Sequence, residues 1–178
     1  MPIHHNHFEL FGLPARFAID ERALEEAYRR VQSQAHPDRF AAAPAAERRV
    51  AMQWAAHANE AFRTLRSPLR RAAYLCELNG VPIEAESNTA MPAAFLAQQM
   101  QWREELDEAR ASTDRTRLFA LVDAVVAVRT ATLKQLEAAL DRTRDLPAAA
   151  ALVRQFMFIE KLGDELGAVA ETPAFDAG

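Results

Sequence analysis

The sequence predicts an all-α fold in two parts: a helical hairpin with short flanking helices in front, and a three-helix bundle behind. Three observations carry this. The chain has 178 residues but only five glycines, and alanine, leucine, arginine and glutamate, all good helix formers, dominate it. Apolar residues recur at three- and four-residue spacing over long runs, without the alternation that marks a strand. One aperiodic stretch, residues 81–90 (VPIEAESNTA), separates the two halves as a linker. The division is therefore 1–80, a linker at 81–90, and 91–178.

The elements follow in order. Residues 8–13 (FELFGL) form a short apolar turn ended by Gly12 and Pro14. Asp20 can cap the next helix by accepting from unpaired backbone N–H groups. Leu24, Ala27, Tyr28, Val31 and Ala35 then fall on one buried stripe. This helix should end at Ala35 or His36, because Pro37 disfavours a helical conformation in the residue before it. Residues 45–66 give a second amphipathic helix, with Val50, Trp54, Ala58, Ala61, Phe62 and Leu65 on its apolar side. Ser67-Pro68 breaks it, Pro68 can open a short helix to Leu78, and Asn79-Gly80 supplies a left-handed end.

Three longer helices follow, at about 92–111, 114–145 and 147–169. Asp114 is the expected cap of the second. Leu118, Leu121, Val122, Val125, Val128, Thr132, Leu133, Leu136 and Leu140 line one broad stripe of it. Leu152, Phe156, Ile159, Leu162 and Leu166 face inward on the third. Short connections imply an up-down-up bundle.

Half the residues are hydrophobic, 26% are charged, and the formal net charge is −4. That is globular composition, unsuited to a polyanion binder. Charge is uneven: 1–80 carries 11 arginines against nine acids, and 81–178 carries ten basic residues against 16 acids. Such a split suggests two surfaces with different partners. A single cysteine, Cys76, excludes an internal disulfide and fits a reducing compartment. The opening MPIHHNHFEL has neither the basic nor the apolar region of a signal peptide, and no apolar run approaches the roughly 20 residues of a membrane helix. The expectation is a cytoplasmic protein that binds neither nucleic acid nor membrane.

Four groups of residues invite a chemical reading. His36-Pro37-Asp38 stands where the first long helix stops. It reads as a catalytic dyad, as a plain helix stop, or as a docking point. A metal-dependent hydrolase on His36 and Asp38 would need a positioned nucleophile, a phosphate loop or further carboxylates, and no such motif accompanies them. Arg29, Arg30 and Arg39 flank the tripeptide and suit steering toward an acidic protein surface. His4, His5 and His7 could bind a transition metal, but they read as an exposed tail, so no metal site is expected. Finally, Leu96, Met100, Glu104 and Glu108 recur every four residues, with Ala97 and Gln101 beside them. This stripe starts apolar and ends acidic, whereas Phe95, Trp102 and Leu106 point elsewhere. It reads as an exposed binding strip or as a partly buried helix with an acidic, solvated end.

"HPD" between two helices, with "ANEAFRTL" (58–65) on the second, resembles a J-domain. With "FELFGLPARF" (8–17), "HPDRF" (36–40), "TLRSPLRRAAYL" (64–75) and "REELDE" (103–108), the chain resembles the HscB family, J-type co-chaperones of iron–sulfur cluster assembly. The resemblance runs from Phe8 to about Leu166. It implies an L-shaped protein whose front J-domain docks on the ATPase chaperone HscA and accelerates ATP hydrolysis. The back bundle would bind the scaffold protein IscU, so the protein would trigger chemistry without being an enzyme. The motif then makes His36, Pro37 and Asp38 the chaperone-stimulating residues, helped by Arg29, Arg30 and Arg39. The family's scaffold patch maps onto Leu96, Ala97, Met100, Gln101, Glu104, Glu108 and Phe158. Ala97 is smaller than the family pattern leads one to expect, and Gln101 stands for an expected acid. No cofactor is implied. A J-protein serving a different client is the alternative.

Overall fold

The structure, a computed structural model, describes residues 6–35, 43–83 and 91–172. Asn6 starts the first helix, α1 (His7–Phe11). Its side-chain oxygen accepts from the Glu9 N–H at 2.9 Å and its amide donates to the Glu9 carboxylate at 2.8 Å. Gly12 ends the turn at φ +67, a left-handed conformation that suits glycine. Phe8, Leu10 and Phe11 are buried. His7 is no tail residue. Its backbone N–H donates to the Tyr74 hydroxyl at 3.0 Å and its ring stacks on Tyr74 with centroids 4.3 Å apart. Burial, with His57 beside it, holds its pKa below the usual 6.5.

Asp20 caps α2 (Glu21–Ala35) as its position predicts, accepting from the N–H groups of Arg22 and Ala23 at 2.9 and 3.2 Å. Leu24 and Ala27 are buried. α2 packs on α3 (Ala45–Arg66) to make the hairpin. Tyr28 stacks on Phe62 with centroids 4.0 Å apart, and its hydroxyl donates to Asn59 at 2.9 Å. Val50 departs from expectation. It is 50% exposed, whereas Ala51, Ala58, Ala61 and Leu65 are the buried set. Val50 immediately precedes Ala51 and is turned about 100° from it.

α4 (Pro68–Leu78) follows after Ser67. Arg71 is buried within it, donating to the Leu65 carbonyl at 2.5 Å with its guanidinium 5.1 Å from the Phe17 ring centre. That arrangement ties three segments together and satisfies part of a charge that burial would otherwise penalise. Burial, with Glu77 adding to it, pushes the Cys76 thiol up to about 11, so it stays protonated and unreactive at neutral pH. Gly80 takes the expected left-handed conformation at φ +77.

By its contacts the chain forms two compact units, Met1–Leu78 and Asn79–Gly178. Val81-Pro82-Ile83 therefore belongs to the second unit. Ile83 is buried and its carbonyl accepts from Arg154 at 3.1 Å. The bundle helices are α5 (Ala93–Ser112), α6 (Arg115–Glu137) and α7 (Leu146–Ala170). Thr113 turns the chain at φ +53, and Asp114 caps α6 by accepting from the Arg117 N–H at 3.0 Å. Leu118, Leu121, Val125, Thr132 and Leu136 are buried along α6, whereas Val122, Val128 and Leu133 are half-buried flanks.

α6 does not run on as an α-helix to Asp145. Its end, Ala138–Thr143, is a π-helical turn, and Arg144 at φ +56 reverses the chain. Asp145 then caps α7, accepting from the Ala148 N–H at 3.0 Å. Ala149, Ala150, Val153, Phe156, Ile159, Leu162 and Leu166 are buried on α7, while Leu152 is only half-buried. The small side chains of Ala149 and Ala150 meet the core at the start of α7 and set a phase in which Val153, not Leu152, points inward. α6 and α7 share the most extensive packing. No described helix is long and apolar enough to cross a membrane.

Leu162, fully buried, and Met100, 66% exposed, separate core from surface. Leu162→Ala should destabilise the bundle by about 2–5 kcal/mol through lost burial and the cavity left behind. Met100→Ala should stay within about 0.5 kcal/mol of the parent. Denaturant unfolding of the two variants checks both values.

Candidate protein-docking surfaces

α5 buries Phe95, Trp102, Leu106 and Ala109 against the bundle. The opposite side is open: Leu96 is 45% exposed, Met100 is 66% exposed, and Ala97, Gln101, Glu104 and Glu108 are exposed as well. The six strip residues of α5 thus share one exposed surface on a helix whose other side is buried. Phe158 joins the strip from α7. It is half-buried, its ring meets Phe95 edge-to-face with centroids 6.1 Å apart, and an open depression of about 330 Å³ lies among Gln99, Met100, Arg103, Glu104 and Phe158.

Arg103 and Gln99 escape the sequence reading. Arg103 forms a two-pronged ion pair with Glu165 on α7, one prong at 3.2 Å, and its guanidinium carbon lies 5.8 Å from the Phe158 ring centre. It therefore pins the aromatic side of the depression from two directions. Sequence offers no signal for this pair, because its partners stand 62 residues apart. Glu108, at the acidic end, pairs with Arg117 of α6. Gln101 donates to Glu105 at 2.8 Å, along the helix.

On the first unit, Arg29 and Arg30 are exposed near the end of α2, and Arg29 lies 3.5 Å from Glu25. Gln32 donates to the Tyr28 hydroxyl at 2.5 Å beside them. His36, Pro37, Asp38 and Arg39 lie outside the described residues, as do His4 and His5. Among the described residues no three His, Cys, Asp or Glu side chains converge as a metal group.

A helical hairpin with flanking helices ahead of a three-helix bundle is the architecture of a J-type co-chaperone. Comparison with known proteins agrees. The family described as the HscB C-terminal oligomerisation domain matches residues 91–167. The co-chaperone protein HscB homologue of Bordetella petrii is 58% identical over 164 residues, covering 92% of this chain and 95% of that protein. The homologue of Burkholderia thailandensis is 56% identical over 166 residues, covering 93% and 94%. Among solved structures, the chaperone HscB from Vibrio cholerae aligns with a TM-score of 0.83 at 39% identity, covering 93% of this chain and 98% of that one. Human co-chaperone HscB shares the fold, with a TM-score of 0.90 at 22% identity over 96% and 85%. The chain belongs to the HscB family of co-chaperones.

Arg103 hydrogen-bonds Glu165, and this is the main reason its carboxyl sits below the ordinary 4.5. A carboxyl depressed on folding stabilises the fold at pH above its unfolded value, and that contribution disappears as pH falls through the folded one. Carboxyl NMR should accordingly place the Glu165 midpoint below 4.5, and Arg103→Gln should return it toward that value. An unchanged midpoint in the variant would remove Arg103 as the cause.

Proposed function

We propose that this protein is a co-chaperone in iron–sulfur cluster assembly which binds an IscU-type scaffold through its bundle and presents it to an HscA-type ATPase chaperone. The observation that carries the reading is the exposed strip of Leu96, Ala97, Met100, Gln101, Glu104 and Glu108, with Phe158 beside it. An apolar centre with an acidic edge suits a partner surface that is hydrophobic within a basic rim. His36, Pro37 and Asp38 trigger the chaperone's ATPase, and Arg29, Arg30 and Arg39 steer the encounter. A proline locks its own φ, so a segment that contains one has less ordering left to do on binding. Asp38 offers a carboxylate for a charge-assisted bond to a basic group of the ATPase. The bundle family's description as an oligomerisation domain favours one competing occupant of the strip, a second copy of this chain.

Asp38→Asn should abolish stimulation of the chaperone's ATPase and leave scaffold affinity unaltered. Stimulation that survives the substitution rules out the J-domain role of the tripeptide. Met100→Ala combined with Phe158→Ala should weaken scaffold binding by about 1–4 kcal/mol, the usual cost of truncating interface anchors. Calorimetry showing unaltered affinity rejects the strip as the site. Sedimentation of the chain alone tests the second copy, which predicts a dimer lost on the same double substitution.

A further inference from the structure

The corner between α3 and α4 takes no part in the proposed function, yet it concentrates positive charge. An open depression of about 410 Å³ there is lined by Phe62, Arg63, Arg66, Ser67 and Arg70. None of these residues is acidic. Arg63 and Arg66 have a local explanation, since they stand in the last turn of α3, where cations complement the helix dipole. Arg70 has none. It is the third residue of α4, whose first turn holds no acidic residue, and a cation there meets the positive end of the dipole. Glu60 lies 3.8 Å from it, but both side chains are exposed and such a pair offsets little. Three arginines against that one carboxylate leave the corner a net charge of +2. The lining is also partly ordered in advance. Phe62 stacks on Tyr28 with centroids 4.0 Å apart, and the Arg66 guanidinium carbon lies 5.7 Å from the centre of the Phe62 ring. The Ser67 hydroxyl accepts from the Arg70 N–H at 3.4 Å, and a hydroxyl that accepts keeps its proton for a further acceptor.

We infer that Arg63, Arg66 and Arg70, with Ser67 between them, bind the phosphoryl group of a small phosphate monoester. Planar guanidinium groups hold phosphate oxygens through pairs of parallel hydrogen bonds. A phosphate monoester carries about 1.5–2 negative charges at pH 7, which matches the charge of the corner. The depression has the volume usual for small-molecule sites, about 300–1,000 Å³, so it has room for the body of the ester as well. An occupied site gives the positive end of α4 the anion that its own first turn lacks.

The test is NMR titration of the full chain with AMP, with inorganic phosphate and with adenosine, each alone. It is run on the parent, on Arg63→Gln with Arg66→Gln, and on Arg48→Gln with Arg49→Gln. The second pair removes the same charge from the exposed start of α3, about 20–27 Å away along the helix and beyond the screening length of about 10 Å at 0.1 M salt. Circular dichroism confirms the helix content of each variant. The expected result is saturable AMP binding with a Kd of about 1 mM or tighter and no binding of adenosine. Affinity should fall at least about tenfold in the first double variant, the factor carried by one lost charge-assisted bond, and stay unaltered in the second. Inorganic phosphate that competes with AMP supports recognition of the phosphoryl group itself, and AMP binding without phosphate binding supports an esterified ligand. A weaker parent Kd for AMP overturns the inference, even if inorganic phosphate binds, because the corner would then hold an adventitious ion only. Adenosine binding as well as AMP overturns it too. So does an affinity that the first double variant leaves unaltered or that both double variants reduce alike, since the arginines of the corner would then have no special part.

Discussion

α5 can turn only one side to the bundle. Phe95, Trp102, Leu106 and Ala109 take that side, so geometry forces the residues between them outward. The exposed strip is what remains once the core has been satisfied. Its apolar members, Leu96 and Met100, are large side chains left in water, a cost no stability argument explains. The core also fixes the strip's rigidity. Phe158 rests its edge on the buried Phe95, and Arg103 holds it from above while bound to Glu165. A surface aromatic gripped in this way has few rotamers to lose when a partner covers it.

The first unit is organised differently. Its hairpin buries mainly alanines, namely Ala27, Ala51, Ala58 and Ala61, which bring helices close but supply little apolar area each. Larger groups at the ends compensate. Phe8, Phe11 and Phe17 cover one end, and Arg71 crosses from α4 to reach both Phe17 and the Leu65 carbonyl. The exposed arginines of α2 stand on this framework, far in sequence from the acidic strip. The two units thus differ in the charge they expose.

Features set by near neighbours were legible in the sequence. Asp20, Asp114, Gly12 and Gly80 mark helix ends by chemistry confined to three or four residues, and all four sit where that chemistry puts them. The strip on α5 was legible for the same reason, since helical spacing alone sorts its two faces. Features set by distant partners were not. Glu165 and Arg103, Arg154 and Ile83, and Arg71 and Phe17 belong to different segments, and no local pattern announces them. Val50 is exposed and Leu152 half-buried, each beside a buried neighbour. Each has an apolar neighbour, Ala51 and Val153, and only packing decides which of two adjacent apolar residues faces in. His7 was misplaced because a histidine-rich terminus reads as solvated until a tyrosine across the fold claims its ring.

The π-helical turn at the end of α6 acts as a phase adjuster between two helices that must both present their apolar sides to one core. A turn closed by i→i+5 bonds holds one residue more than an α turn. Here it keeps Ala139 and Leu140 buried while delivering the chain to Arg144 and the Asp145 cap with α7 already correctly rotated. Removing one residue between 138 and 143 would restore ordinary α-helical pitch with little net rotation downstream, because the π turn is what accommodates the extra residue. The connection is therefore better placed to lose one residue than any ordinary α turn of α6, where a deletion would rotate the rest of that helix by about 100°.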